Sequence, residues 1–132
     1  FKCDWSSDVC SSDLLREDIA AIRKSANVTI VSMHAGVEYA KQPHAMQEQF
    51  ARAAIEAGAL LVIGHHPHVV QPCVEYQIGV ICYSLGNLVF DQTLPGTNDG
   101  LVAEVEFKGF SLRNLRTHKV RINDTVPELS KR

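Results

Sequence analysis

Histidine, a ligand for borderline divalent metals, is concentrated in two places in this chain. His34 stands alone, while His65, His66 and His68 crowd one turn, Gly64-His65-His66-Pro67-His68. Imidazole binds an ion through one ring nitrogen while an acceptor holds the other, and a His-Pro-His spacing stiffened by proline lets two rings face one ion. Any one of these histidines reads more readily as an ordinary loop or core residue. Several delivered to one place read as a metal centre. Imidazole alone does not choose among zinc, manganese, iron and nickel.

Other chemistries find less support. Cys3, Cys10, Cys73 and Cys82 contain no CxxC pair, which argues against a thiolate metal site, and Cys73 and Cys82 read as buried, apolar-like thiols. Ser84 lacks the GxSxG setting that presents a nucleophile, and the glycines form neither GxGxxG nor a P-loop. His44, beside Pro43, reads as a surface or capping residue, and His118 as solvated. Asp91 reads as a solvated carboxylate that could alternatively orient a histidine.

The elements that position the histidines follow from periodicity. Residues 15–25, LREDIAAIRKS, put Leu15, Ile19 and Ile22 on one helical face with Asp13 able to cap the start. Residues 27–33, NVTIVSM, read as a strand covered on both faces, so His34 falls at its C-terminal end. A loop over 35–43 leads to a helix over 44–57 stopped by Gly58, and then to a second buried strand over 59–63 that runs into the histidine turn. This βαβ order implies a right-handed crossover with both strand ends at one sheet edge, where α/β sheets bind ligands. Beyond it, 79–85 and 88–90 read as strand-like runs around a Gly86-Asn87 turn. Residues 101–108 alternate as a half-wet antiparallel strand, 113–122 form a last strand, and 123–132 are a frayed tail.

Bulk properties narrow the partners. A chain of 132 residues holds one modest core, and a net charge of −2 with mixed signs gives no basic face for nucleic acid. No run approaches the roughly 18 to 20 apolar residues of a membrane-spanning helix, so a soluble chain is expected.

Three segments carry a resemblance: TIVSMHAGVEY at 29–39, GALLVIGHHPHVVQP at 58–72 and VICYSLGNLVFDQ at 80–92. In order and spacing they resemble consecutive signature blocks of the bacterial poly-γ-glutamate capsule-synthesis family, the CapA type, which is similar to calcineurin-like metallophosphoesterases. The resemblance implies the C-terminal half of a metallophosphatase-like layered α/β sandwich, a βαβ unit followed by antiparallel strands, spanning 15–122. It implies His34 as the lone strand-end metal ligand and His66 and His68 as the His-x-His pair. His65 and Asn87 would be catalytic residues, His65 touching a substrate oxygen or a metal-bound water, and Glu38 would lie near the site. Asn87 reads equally well as a turn former, because asparagine tolerates left-handed backbone. Where the family often has an aromatic residue after the lone histidine, this chain has Ala35.

The same resemblance implies two divalent ions in the complete protein, manganese, zinc or iron, about 3.5 to 4 Å apart. The family's upstream Gly-Asp and Asn-Asn-His blocks have no match before His34, so the chain alone is expected to be inactive. The substrate would be an anionic polymer or a phosphoester, with envelope assembly partners, outside the cytoplasm and anchored through a missing N-terminal part. A non-catalytic scaffold role in an envelope assembly and a generic metallophosphodiesterase are the alternatives. Residues 1–14 stand apart from this pattern. They are Ser- and Asp-rich and aperiodic, and DWSSDVCSSDL at 4–14 resembles a translated sequencing adapter, so they are expected to be non-native.

Overall fold

The computed structural model describes residues 11–90 and 92–130. Helix α1 spans Ser11–Ile22 and strand β1 Ile30–His34; helix α2 spans Ala45–Glu56 and strand β2 Leu61–His65. Strands β3, Cys73–Tyr76, and β4, Gly79–Cys82, follow as a hairpin, and β5, Asp99–Lys108, β6, Ser111–Asn123, and β7, Val126–Leu129, form the rest. The first sheet has the order β1-β2-β4-β3, with β1, β2 and β4 parallel and β3 antiparallel to β4. The second is the antiparallel meander β5-β6-β7.

Side-chain alternation along the central strands explains the layering. Val62 of β2 and Ile81 of β4 face the helices, packing with Leu15 and Ile19 of α1 and Ala51, Ala54 and Ile55 of α2. Their neighbours Leu61, Val80 and Cys82 face the other way, against Val105, Phe107, Leu112 and Leu115 of the β5-β6 hairpin. A strand buried on both faces must be apolar at every position, which is why 59–63 carries no alternation. The expected layered α/β sandwich is therefore present, with helices, parallel sheet and antiparallel sheet stacked in that order.

Several boundaries differ from expectation, each for a local reason. Helix α1 runs back to Ser11, across the boundary expected at Leu15, and places Asp13 in its first turn, where a carboxylate complements the helix dipole. His44 caps α2 through its Nδ1, which accepts from the Met46 amide at 3.4 Å, so the histidine read as a capping residue is one. The tail expected to fray instead pairs β7 with the end of β6 after a turn at Asp124 and Thr125, both at positive φ. Residues 88–90 form no strand, and Leu88, Val89 and Phe90 are exposed. Strand β3 was not anticipated. It lies antiparallel beside β4, and the directly paired Cys73 and Cys82 are joined in a disulfide, correcting their reading as free thiols. Cys3, Cys10, Trp5 and Asp91 lie outside the described residues.

Candidate metal centre

Parallel pairing of β1 with β2 brings His34 opposite His65, and the chain after β2 turns at once through His66, Pro67 and His68. The lone histidine and the clustered ones thus reach one edge of the sheet. The rings of His34 and His66 stand 4.9 Å apart between centroids, and those of His66 and His68 6.2 Å apart. Two imidazoles sharing one ion at metal–nitrogen distances of about 2 Å have ring centres roughly 5 Å apart. On that measure His34 and His66 fit a shared divalent ion, while His68 stands further off. Among the described residues no group of three or more His, Cys, Asp or Glu side chains is placed to hold a metal ion.

The same turn holds strained backbone. His66 has φ 100° and His68 φ 61°, left-handed conformations that non-glycine residues hold only when their surroundings impose them. Tyr39, in the loop after β1, has φ 63°, and its amide donates to the Pro67 carbonyl at 2.8 Å, tying that loop to the histidine turn. Burial lowers the pKa of His65, and the nearby His34 lowers it further, so the neutral imidazole is favoured there.

Asn87 lies directly behind His68. It is buried, with its Oδ1 2.9 Å from His68 Nδ1. Both of its amide hydrogens are taken, by Gln92 Oε1 at 3.0 Å and by the Thr97 carbonyl at 3.0 Å. A backbone carbonyl can only accept, so the Asn87 nitrogen must face Thr97 and its oxygen must face His68. His68 Nδ1 is then the donor, and Nε2 is the nitrogen left with a lone pair. Asn87, expected among the catalytic residues, is hydrogen-bonded to His68. Glu38 is exposed in the loop beyond Gly36.

A cavity of about 470 Å³ opens beside these rings, lined by His34, Ala35, Gly36, Val37, His44, Met46, Gln47 and His66. Gln47, fully buried, holds its wall. Gln47 Nε2 donates to Gln71 Oε1 at 2.9 Å and to the Tyr83 carbonyl at 2.8 Å, and Gln71 Nε2 donates in turn to the carbonyls of Ala40 and Gln42. The two glutamines join α2, the loop after β1 and the end of β4. Gln47→Ala strands these acceptors in a dry interior and is expected to destabilise the chain by about 3 kcal/mol in urea unfolding. A loss below about 1 kcal/mol would mean that water reaches the network.

Sequence reasoning singled out the four histidines and Asn87 but not Gln47, Gln71, Gln92, Tyr39 and Thr97, which the structure places around them. Polar residues in loops are ordinary, and only tertiary contacts reveal which of them are buried. Gln47 did carry a signal, because it sits three residues after His44 and its Oε1 accepts from the His44 amide at 3.3 Å, completing a capping box.

Helices on one face of a parallel sheet, an antiparallel sheet on the other and histidines at the strand ends make this a metallophosphatase-like α/β domain. The family model for the bacterial capsule synthesis protein PGA_cap matches residues 4–92, and the chain belongs to that family. The chain is 38% identical over 109 residues to the PGA biosynthesis protein CapA of Bacillus subtilis (strain 168), an alignment covering 83% of this chain and 29% of the relative. It is 40% identical over 103 residues to the capsule biosynthesis protein CapA of Bacillus anthracis, covering 78% of this chain and 23% of that protein. The chain thus spans under a third of the length of these curated relatives. No helix of the described residues is long and apolar enough to cross a membrane.

Proposed function

We propose that this chain supplies half of a two-metal hydrolytic centre in a capsule synthesis protein, with His34, His66 and His68 as its share of the ligands. The observation that carries this reading is the strand register. His34 ends β1 opposite His65, so the rings of His34, His66 and His68 gather at one sheet edge beside a cavity. A divalent ion bound there, manganese, zinc or iron, supplies Lewis acidity and a water of lowered pKa. Around it, His65 as a neutral imidazole accepts a proton from a water or contacts a substrate oxygen, and Asn87 keeps His68 Nε2 presented. The substrate is an anionic polymer or a phosphoester, and the relatives' names favour poly-γ-glutamate or its precursors. A setting in the cell envelope outside the cytoplasm is supported by the Cys73–Cys82 disulfide, because such bonds persist in oxidising compartments.

The test is a titration of the purified chain with zinc and with manganese, followed by an assay of bis(p-nitrophenyl) phosphate hydrolysis. Saturable binding without hydrolysis is expected. Hydrolysis by this chain alone would sink the half-site, and absence of any binding would sink the metal reading. The wider separation of His68 from His66, 6.2 Å between ring centroids, supports a second reading, in which the domain is a non-catalytic envelope component. Binding of a single ion with no hydrolysis by the full-length protein would favour it.

A further inference from the structure

We infer that the cavity beside His34 and His66 is a subsite for an aliphatic arm. The ligand it fits is a carboxylate or phosphoester whose charged end meets the ion and whose adjoining methylenes lie against Val37 and Met46. This rests on the proposed metal centre for the charged end alone, and the apolar walls stand independently of it.

Two large apolar side chains face solvent at one place. Val37 is 51% exposed in the loop after β1, and Met46 is 43% exposed in the first turn of α2. A single exposed apolar residue is ordinary, but both of these line the same cavity of about 470 Å³ as the His34 and His66 rings. An apolar wall with a few polar groups at one end is the usual lining of a small-molecule site. Methionine suits such a wall, because its unbranched, polarisable side chain adapts to arms of different shape.

The remaining wall has much of its polar capacity engaged. Gln47 gives both amide hydrogens to Gln71 and to the Tyr83 carbonyl, and its oxygen accepts from the His44 amide. His44 in turn accepts from the Met46 amide through Nδ1. The strongest demand for a charged partner is therefore at the other end, where the His34 and His66 rings stand 4.9 Å apart. Gly36 lies so close to Gln47 that a methyl group there would overlap its side-chain oxygen, so the loop rests directly on the buried glutamine network. The walls are thus built by this chain and preformed, which suits a small ligand.

The experiment uses the whole chain labelled with 13C at the methionine methyl groups. Met33 and Met46 are its two methionines, so Met46 at the cavity is read against the buried Met33. Zinc binding is measured first, and acetate, butyrate and hexanoate are then titrated calorimetrically into the zinc-loaded chain. Affinity is expected to rise about two- to four-fold per added methylene, with the Met46 signal moving and the Met33 signal still. Val37→Ser and Met46→Ser should each cut the hexanoate-to-acetate affinity ratio by about five-fold, and a change in zinc occupancy cancels from that ratio. Hexyl phosphate against inorganic phosphate should show the same gain, and the tighter of the two series names the charged end. Affinity independent of arm length, a Met46 signal unmoved at saturation, or the parent ratio in both serine variants would overturn the subsite. If zinc fails to bind, the metal centre falls, and the same series in the zinc-free chain decides the subsite. There the gain per methylene persists if the walls hold the arm and vanishes if they do not.

Discussion

Gly64→Ala is expected to cost the chain a large share of its stability, about 3 kcal/mol or more. Gly64 sits one residue before the end of β2, and a methyl group there would run into the Tyr83 backbone carbonyl. The obstacle is main chain, tied on both sides, since the Leu85 amide donates to the Gly64 carbonyl at 3.1 Å. Overpacking in a core costs about 1 to 3 kcal/mol when side chains can shift aside. Here β2 and the chain leaving β4 must separate, so a loss of about 3 kcal/mol or more is expected, against a total stability of about 5 to 15 kcal/mol for a domain. Circular dichroism during urea unfolding measures it. A cooperative transition within about 1 kcal/mol of the parent would show that these two segments can part without harm.

The same glycine shows what could be read in the sequence and what could not. Its place before His65 marked a turn, and the apolar, β-branched run before it marked a covered strand, because local composition reports burial on both faces. That another backbone passes within a methyl's reach of Gly64 depends on Tyr83, nineteen residues away, and leaves no local trace. Strand β3 was missed for a similar reason. Cys73-Val74-Glu75-Tyr76 is a short half-wet segment whose strand character comes from pairing with β4, and the disulfide follows from that pairing. Residues 88–90 erred in the opposite direction. Leu88, Val89 and Phe90 look like a strand by composition, yet Asn87 turns inward to His68 and the chain beyond it runs exposed.

The candidate site divides in the same way. Histidine is scarce and chemically distinctive, so His34 and the 65–68 cluster could be recognised by residue type and by their positions after two strands. Asn87 could be recognised only as a turn former or a site neighbour, and its donors' commitment to Gln92 and Thr97 settles which atoms are free. Tyr39 and Gln92, 53 positions apart, meet only in the folded chain.

His34→Ala and His66→Ala are each expected to weaken zinc binding by about a hundred-fold or more, equivalent to about 2.7 kcal/mol. These two rings have the spacing of partners on one ion, so removing either leaves a lone imidazole that binds an ion weakly. His68 stands 6.2 Å from His66, and His68→Ala should cost less, about ten-fold. His44 supplies the control. It lines the same cavity, but its Nδ1 is engaged with the Met46 amide as the cap of α2, so His44→Ala should lower helix stability by about 1 kcal/mol while leaving zinc affinity within about three-fold of the parent. Competition against a chromogenic zinc chelator ranks the four variants. The graded order is the informative result, because a chain that binds zinc through scattered surface histidines would lose a similar small amount at each position. If His44→Ala costs as much as His66→Ala, the ion lies in the cavity rather than at the strand ends, and the ligand set proposed here is wrong.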